Sequence, residues 1–182
     1  TNRSNIVEAI NELDNEAENN TTELLSKITE QNNSLIMLIQ MLANTGINIV
    51  PLLEMLGNTI TVISDTVTQM YQYSDNNNPD NKLKGIVYAP NLETVESRSI
   101  DDNSGMTTII MPKVKTIKSQ GFWASYGLKT VFIPNACTSL ATNAFSMCGN
   151  LTNIYIDNVE GTFGDIAADS SLPNLKVTYL KK

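Results

Sequence analysis

Histidine is absent from all 182 residues, and cysteine occurs only as Cys137 and Cys148. The missing imidazole removes histidine-based nucleophilic triads, most zinc sites and the usual general base at neutral pH. Two cysteines eleven residues apart supply neither a disulfide framework nor a paired zinc motif. Basic residues are scarce as well. Twelve Lys and Arg stand against 19 Asp and Glu, a net charge of -7, whereas a nucleic-acid backbone calls for a basic surface. The most apolar segment, residues 35–63, is interrupted by Gln40, Asn44, Asn48, Pro51 and Glu54, so it never reaches the roughly 18 uninterrupted apolar residues of a membrane span. No basic segment followed by an apolar one opens the chain, and its first residue is Thr1; a processed chain or a fragment is expected. Against these absences, 41% of the residues are apolar, enough to build packed cores.

The C-terminal half restarts. Residues 83–105, 106–127, 128–150 and 151–174 align at spacings of 23, 22, 23 and then 24 to Leu175, and such a period marks a solenoid. Leu83, Met106, Leu128, Leu151 and Leu175 open the turns. Val87, Ile109, Val131 and Ile154, then Ala89, Met111, Ile133 and Ile156, alternate as the inward face of a short strand. Pro90, Pro112 and Pro134 close that strand, with Asp157 in the fourth turn. Val95, Ile117, Leu140 and Phe163 form the next inward layer, followed by Ile100, Phe122, Phe145 and Ala168. One such turn cannot bury its own apolar side, whereas stacked turns share a continuous core. The repeat therefore reads as scaffold rather than chemistry.

The pattern L-x-x-[IV]-x-I-P, an apolar residue, then N-A-F-x-x-C-x-x-L resembles the BspA-like leucine-rich repeat of bacterial and viral surface proteins. The match covers residues 83–180 and is closest in the third turn, at Ala144, Phe145, Cys148 and Leu151. The resemblance implies a binding surface, no shared catalytic activity and a buried, inert Cys148. The fourth turn departs from the pattern and reads as a cap.

The segment 1–73 differs in kind. SNIVEAINELDNE places Ile6, Ile10 and Leu13 at helical spacing behind Ser4 as N-cap, a short helix that should end in the ENN of residues 18–20. From Leu25 a heptad runs through Leu25, Asn32, Ile39, Gly46, Leu53, Ile60 and Val67 at one position and Ile28, Leu35, Leu42, Ile49, Leu56, Ile63 and Met70 at the other, the pattern of a coiled coil. Ile36, Leu38, Ala43, Val50 and Leu52 widen the stripe beyond a two-stranded seam, so a homotrimer is expected. Asn32 reads as a register-setting polar layer. Gly46 and Pro51 predict a break over residues 44–50. The helices on either side, roughly residues 21–43 and 51–73, either continue straight or fold as a hairpin. The expected architecture is an α plus β-solenoid protein: a helical oligomerisation stem over 1–73, an Asn/Asp-rich linker over 74–82, and a leucine-rich-repeat module of about four turns over 83–182.

The segment SNIVEAINEL also resembles the short helix, S-x-[VI]-x-A-I-N-E-[LV], that recurs at joints of bacteriophage fibres, on the run Ala9, Ile10, Asn11, Glu12 and Leu13. That resemblance implies a structural virion protein, a phage fibre or appendage subunit. It would assemble with itself and other virion proteins in the host cytoplasm and bind a host-surface glycan or protein. A bacterial cell-surface or secreted adhesin is the alternative, and a capsid or tail joint protein without receptor role is another.

Binding residues are sought where strand alternation turns side chains outward: Tyr88, Ile110, Phe132 and Tyr155, with Tyr179 as a fifth rung. Stacked about 4.8 Å apart, they should form an apolar ladder that serves as an interface or packs against the stem or a neighbouring subunit. Trp123 and Tyr126 in GFWASYG form a second candidate, because Phe122 takes the core position. Asp75, Asn77, Asp80 and the segment 101–105 carry oxygen ligands without a calcium-loop spacing and read as solvated turns. No enzymatic activity, metal, cofactor, nucleic acid or membrane span is expected.

Overall fold

No Pro or Gly interrupts residues 2–44, and in the computed structural model they form one α-helix, α1 (Asn2–Asn44). The structure describes residues 2–55, 60–64, 67–70 and 83–182, without the side chains of 2–7, 9, 10, 29, 32 and 33. The expected stop in the ENN of residues 18–20 does not occur, and Ser4 lies within the helix. Polar residues weaken a helix only when their side chains compete for its backbone. Here the hydroxyls of Thr21, Thr22 and Ser34 donate to the carbonyls of Ala17, Glu18 and Glu30 at 2.8, 2.9 and 2.9 Å, inside the helical bonding pattern, and Lys27 pairs with Glu23 one turn back. The break comes where Gly46 adopts φ +82°, a left-handed conformation open to glycine. A six-residue helix, α2 (Val50–Met55), follows, its Val50 N–H donating to Asn48 Oδ1 at 3.1 Å.

The chain divides into two compact units, Thr1–Leu38 and Ile39–Lys182. The second is built on a parallel β-solenoid. Its strands are β1 (Ile60–Val62), β2 (Gln69–Met70), β3 (Gly85–Tyr88), β4 (Thr94–Val95), β5 (Met106–Ile110), β6 (Thr116–Ile117), β7 (Thr130–Ile133), β8 (Ser139–Leu140), β9 (Asn153–Val159) and β10 (Lys176–Lys181). They alternate between a six-stranded sheet, β1-β3-β5-β7-β9-β10, and a four-stranded one, β2-β4-β6-β8. Every pairing is parallel. Both inward columns of the first sheet, from Val87 to Ile154 and from Ala89 to Ile156, are fully buried, and Val95, Ile117 and Leu140 line the second. At the corner, Phe122 and Phe145 stack with ring centroids 5.1 Å apart, beside buried Ile100. In the last turn Ala168 is exposed and Ile166 supplies the core residue instead.

The solenoid starts a turn earlier than the repeats at 83 indicate and has about five turns rather than four. Heptad positions 60–70 therefore belong to no stem helix. Ile60, Thr61 and Val62 pair with Ile86, Val87 and Tyr88, while Ile63 and Met70 are buried in the solenoid core with Val67 packed against it. The β-branched run ITVISDTVT suits a strand, and the open edge of β3 supplies its hydrogen bonds. With α2 only six residues long, the second stem helix is replaced by the first solenoid turn. Leu56 and the linker at 74–82 lie outside the described residues.

Regular bonding continues around the corners. Lys118 and Ala141 N–H donate to Val95 and Ile117 carbonyls at 3.0 Å each, and Ile100 and Phe122 N–H donate to Gly121 and Ala144 at 2.9 Å each. Asp102, Ala124 and Met147 repeat a left-handed φ of 48–64° at equivalent positions. A side chain on Gly127 would lie 2.5 Å from the Ser104 carbonyl, so the turns can approach there only without one.

Candidate binding surfaces

The outward ladder has the expected register. Tyr88 lies beside Ile110, and Phe132 beside Tyr155. It is not an open face, however. Tyr88, Ile110 and Ile86 belong to a second apolar cluster with Ile39 and Ala43 of α1 and Ile49 and Leu53, the last in α2, and Val50 and Ile60 pack against it. Phe132 is 2% exposed and Tyr155 half-buried. The chain thus covers the Tyr88 and Ile110 rungs with its own helical segment, because the apolar faces of both elements lose contact with water together. Tyr179 is no rung: Thr178 stands beside Tyr155, while Tyr179 pairs with Ile156 and packs on the main core. Gln40, one residue beyond Ile39, is fully buried, and neither end of its amide has a hydrogen-bond partner among the described residues.

The heptad residues separate accordingly. Leu25, Ile28, Leu35 and Leu42 are exposed. Ile39, Ile49 and Leu53 cover the ladder. Part of the stripe width that pointed to three strands, at Ala43 and Val50, is taken up by that contact within the chain. Asn32 lies in α1, its side chain outside the described set.

The second candidate sits at the corner of the turns. Phe122 points into the core, and Trp123 lies half-buried beside Arg98, whose guanidinium carbon stands 4.2 Å from the ring centroid, a cation–π contact. Arg98 Nε also donates to Gln120 Oε1 at 3.2 Å. Tyr126 is exposed, and its carbonyl accepts from Asn150 Nδ2 at 2.7 Å. Exposed Met147 occupies the left-handed position one turn after Ala124. This patch combines aromatic surface with a fixed positive charge, which suits ring stacking and anionic groups. Sequence reasoning missed Arg98. Its only signal is that it precedes Trp123 by one turn of the repeat and three further positions.

The remaining reactive groups are turned to structure. Burial pushes the Cys137 thiol up to about 11 and that of Cys148 to about 12, and their sulfurs donate to the carbonyls of Ser139 at 3.5 Å and Phe122 at 2.9 Å. Burial works against the charge on Asp169, but Ser146 and Ser171, donating at 2.5 and 2.7 Å, hold its carboxyl below the usual range. The Ser146–Asp169 pair thereby ties two successive turns together. Among the described residues, no group of three or more Cys, Asp and Glu is placed to hold a metal ion, and no helix is long and apolar enough to cross a membrane.

A parallel solenoid of short turns, with an inward Leu/Ile column and a buried Cys, defines a leucine-rich-repeat protein. Residues 57–178 match the BspA type leucine rich repeat region in six copies, and the chain belongs to that family. No curated protein and no solved structure matches it.

Proposed function

We propose that the protein is a non-catalytic attachment protein, a homo-oligomeric subunit of a bacteriophage fibre or appendage. Its repeat module would bind a host-surface glycan or protein, or a second virion protein. A leucine-rich-repeat module suits a binding role, and the observation that carries this reading is the corner where half-buried Trp123 lies beside exposed Arg98, with exposed Tyr126, on that module. Self-association rests on the exposed apolar residues of α1, and the virion context on the fibre-like segment SNIVEAINEL. The repeat family equally favours a bacterial cell-surface or secreted adhesin, which would use the same corner.

Immunogold labelling with antibody against residues 83–182 separates the contexts. Label on phage particles supports the virion reading; label on bacterial cells with none on particles overturns it in favour of the adhesin. Trp123→Ala combined with Tyr126→Ala is expected to abolish binding of the purified protein to cells while leaving a single cooperative melt, its midpoint lowered by the lost contact with Arg98. A wild-type protein that labels particles but binds no cell is a joint protein without receptor role.

A further inference from the structure

Self-association through α1 leaves open which stripe of the helix forms the seam. In the second unit Ile39, Gln40 and Ala43 are buried, and Ile39 and Ala43 lie against the strand residues Ile86, Tyr88 and Ile110. By spacing, the 25-32-39 series therefore leads into a face already occupied within the chain. A different series remains open. Leu24, Ile28, Leu35, Leu38 and Leu42 are all exposed, and with Gln31 they recur at alternating intervals of four and three residues. At 3.6 residues per turn this stripe lies roughly 100° around the helix from the buried one. A shallow groove on the helix surface is lined by Gln31, Leu35 and Leu38 with Lys27, Glu30 and Ser34, a hole of the kind that a facing helix fills with a knob.

We infer that α1 is a two-faced helix: its Ile39–Ala43 face docks on its own solenoid, and its Leu24-Ile28-Gln31-Leu35-Leu38-Leu42 stripe is the seam of a parallel coiled coil with further copies of the same chain. Ile28, Leu35 and Leu42 occupy the a positions, and Leu24, Gln31 and Leu38 the d positions. Gln31, rather than Asn32, is the polar layer. The occupant is the same chain because the seven-residue repeat is self-complementary. In a parallel coil, cyclic symmetry sets each position opposite its own copy, so a Gln31 amide meets its counterpart, which offers both donor and acceptor. This register rests on the self-association proposed above.

Sedimentation equilibrium of the full chain comes first. A monomer at micromolar concentration overturns self-association and the register with it. Given a dimer or trimer, Gln31→Cys and Asn32→Cys variants are oxidised under native conditions, where Cys137 and Cys148 are buried. The Gln31→Cys chains are expected to become disulfide-linked, and the Asn32→Cys chains to stay largely unlinked. The opposite pattern, or linkage at neither position in a proven oligomer, overturns the register while self-association stands. Gln31→Leu and Asn32→Leu repeat the comparison without a new thiol: the first is expected to raise the melting temperature by removing a polar core layer, the second to leave it unchanged. An increase for Asn32→Leu alone would restore the 25-32-39 seam.

Discussion

Asn103, Ser125 and Cys148 occupy one buried column at successive turns, yet each is a different residue type. Ser125 Oγ and Cys148 Sγ donate to the carbonyls of Ile100 and Phe122 in the preceding turn, at 2.8 and 2.9 Å, whereas Asn103 Oδ1 accepts from the N–H groups of Gly105 and Met106 just after it, at 3.1 and 2.7 Å. The thiols have a measurable consequence. Folding raises them from an ordinary 9.0 to about 11 at Cys137 and about 12 at Cys148, so above pH 9.0 the folded chain holds protons that the unfolded chain has released. Their contribution to stability is complete below that pH and declines as pH rises towards 11–12. Urea melts from pH 8 to 11 are expected to show this decline, and Cys148→Ala to flatten it. Gln40 presents the opposite case, a polar group that gains nothing from its position. A buried, unpaired donor or acceptor costs about 1–3 kcal/mol, so Gln40→Met, which keeps the side-chain length, is expected to stabilise the fold by about 1 kcal/mol in the same melts.

Among the elements, one corner column of the solenoid carries a stacked aromatic pair between Ile100 and Ile166, and the N-terminal helix carries both buried and exposed apolar residues. Phe122 and Phe145 are fully buried and in contact, so truncating either leaves a cavity between two turns. Phe122→Ala is expected to cost about 3–5 kcal/mol, read as a lower urea midpoint, without altering the helical circular-dichroism signal of α1. These corners were legible in the sequence, because Phe122 and Phe145 recur one turn apart. The helix was legible as a helix, and Gly46 marked its end, but its continuity through residues 18–20 and its partners were not. A heptad states that an apolar stripe runs along a helix without saying which neighbour covers it, and residues 35–43 carry apolar side chains on more than one face.

The molecule as a whole couples a module whose turns support one another with a helical first unit that leaves large apolar side chains exposed. Stacked turns share a core and melt through nearest-neighbour contacts. Most helical stability in proteins comes from packing of an apolar face, and Leu13, Leu24, Leu25, Ile28, Leu35 and Leu38 of the first unit are exposed. If copies of α1 stabilise one another, stability of that segment follows mass action. Dilution from micromolar towards nanomolar concentration is then expected to lower the helical circular-dichroism signal while the fluorescence of Trp123, the single tryptophan, stays constant. A helical signal independent of concentration would count against a coil.

Residues 83–175 determined by themselves that the chain is a solenoid. Each turn solves the same local burial problem, so the same apolar positions recur once per turn, and no distant contact is needed to recognise them. Ile60, Ile63, Val67 and Met70 satisfy a heptad and a strand–corner unit equally well, since short apolar runs fit both periods. Only the edge of β3, one turn further along the chain, decided between them by supplying the hydrogen bonds of Ile60–Val62. The sequence likewise placed Tyr88, Ile110 and Phe132 on the outward face. Whether Tyr88 and Ile110 met solvent there depended on where Ile39, Ala43, Ile49 and Leu53 came to rest, and long-range packing, unlike a repeat, leaves no period behind.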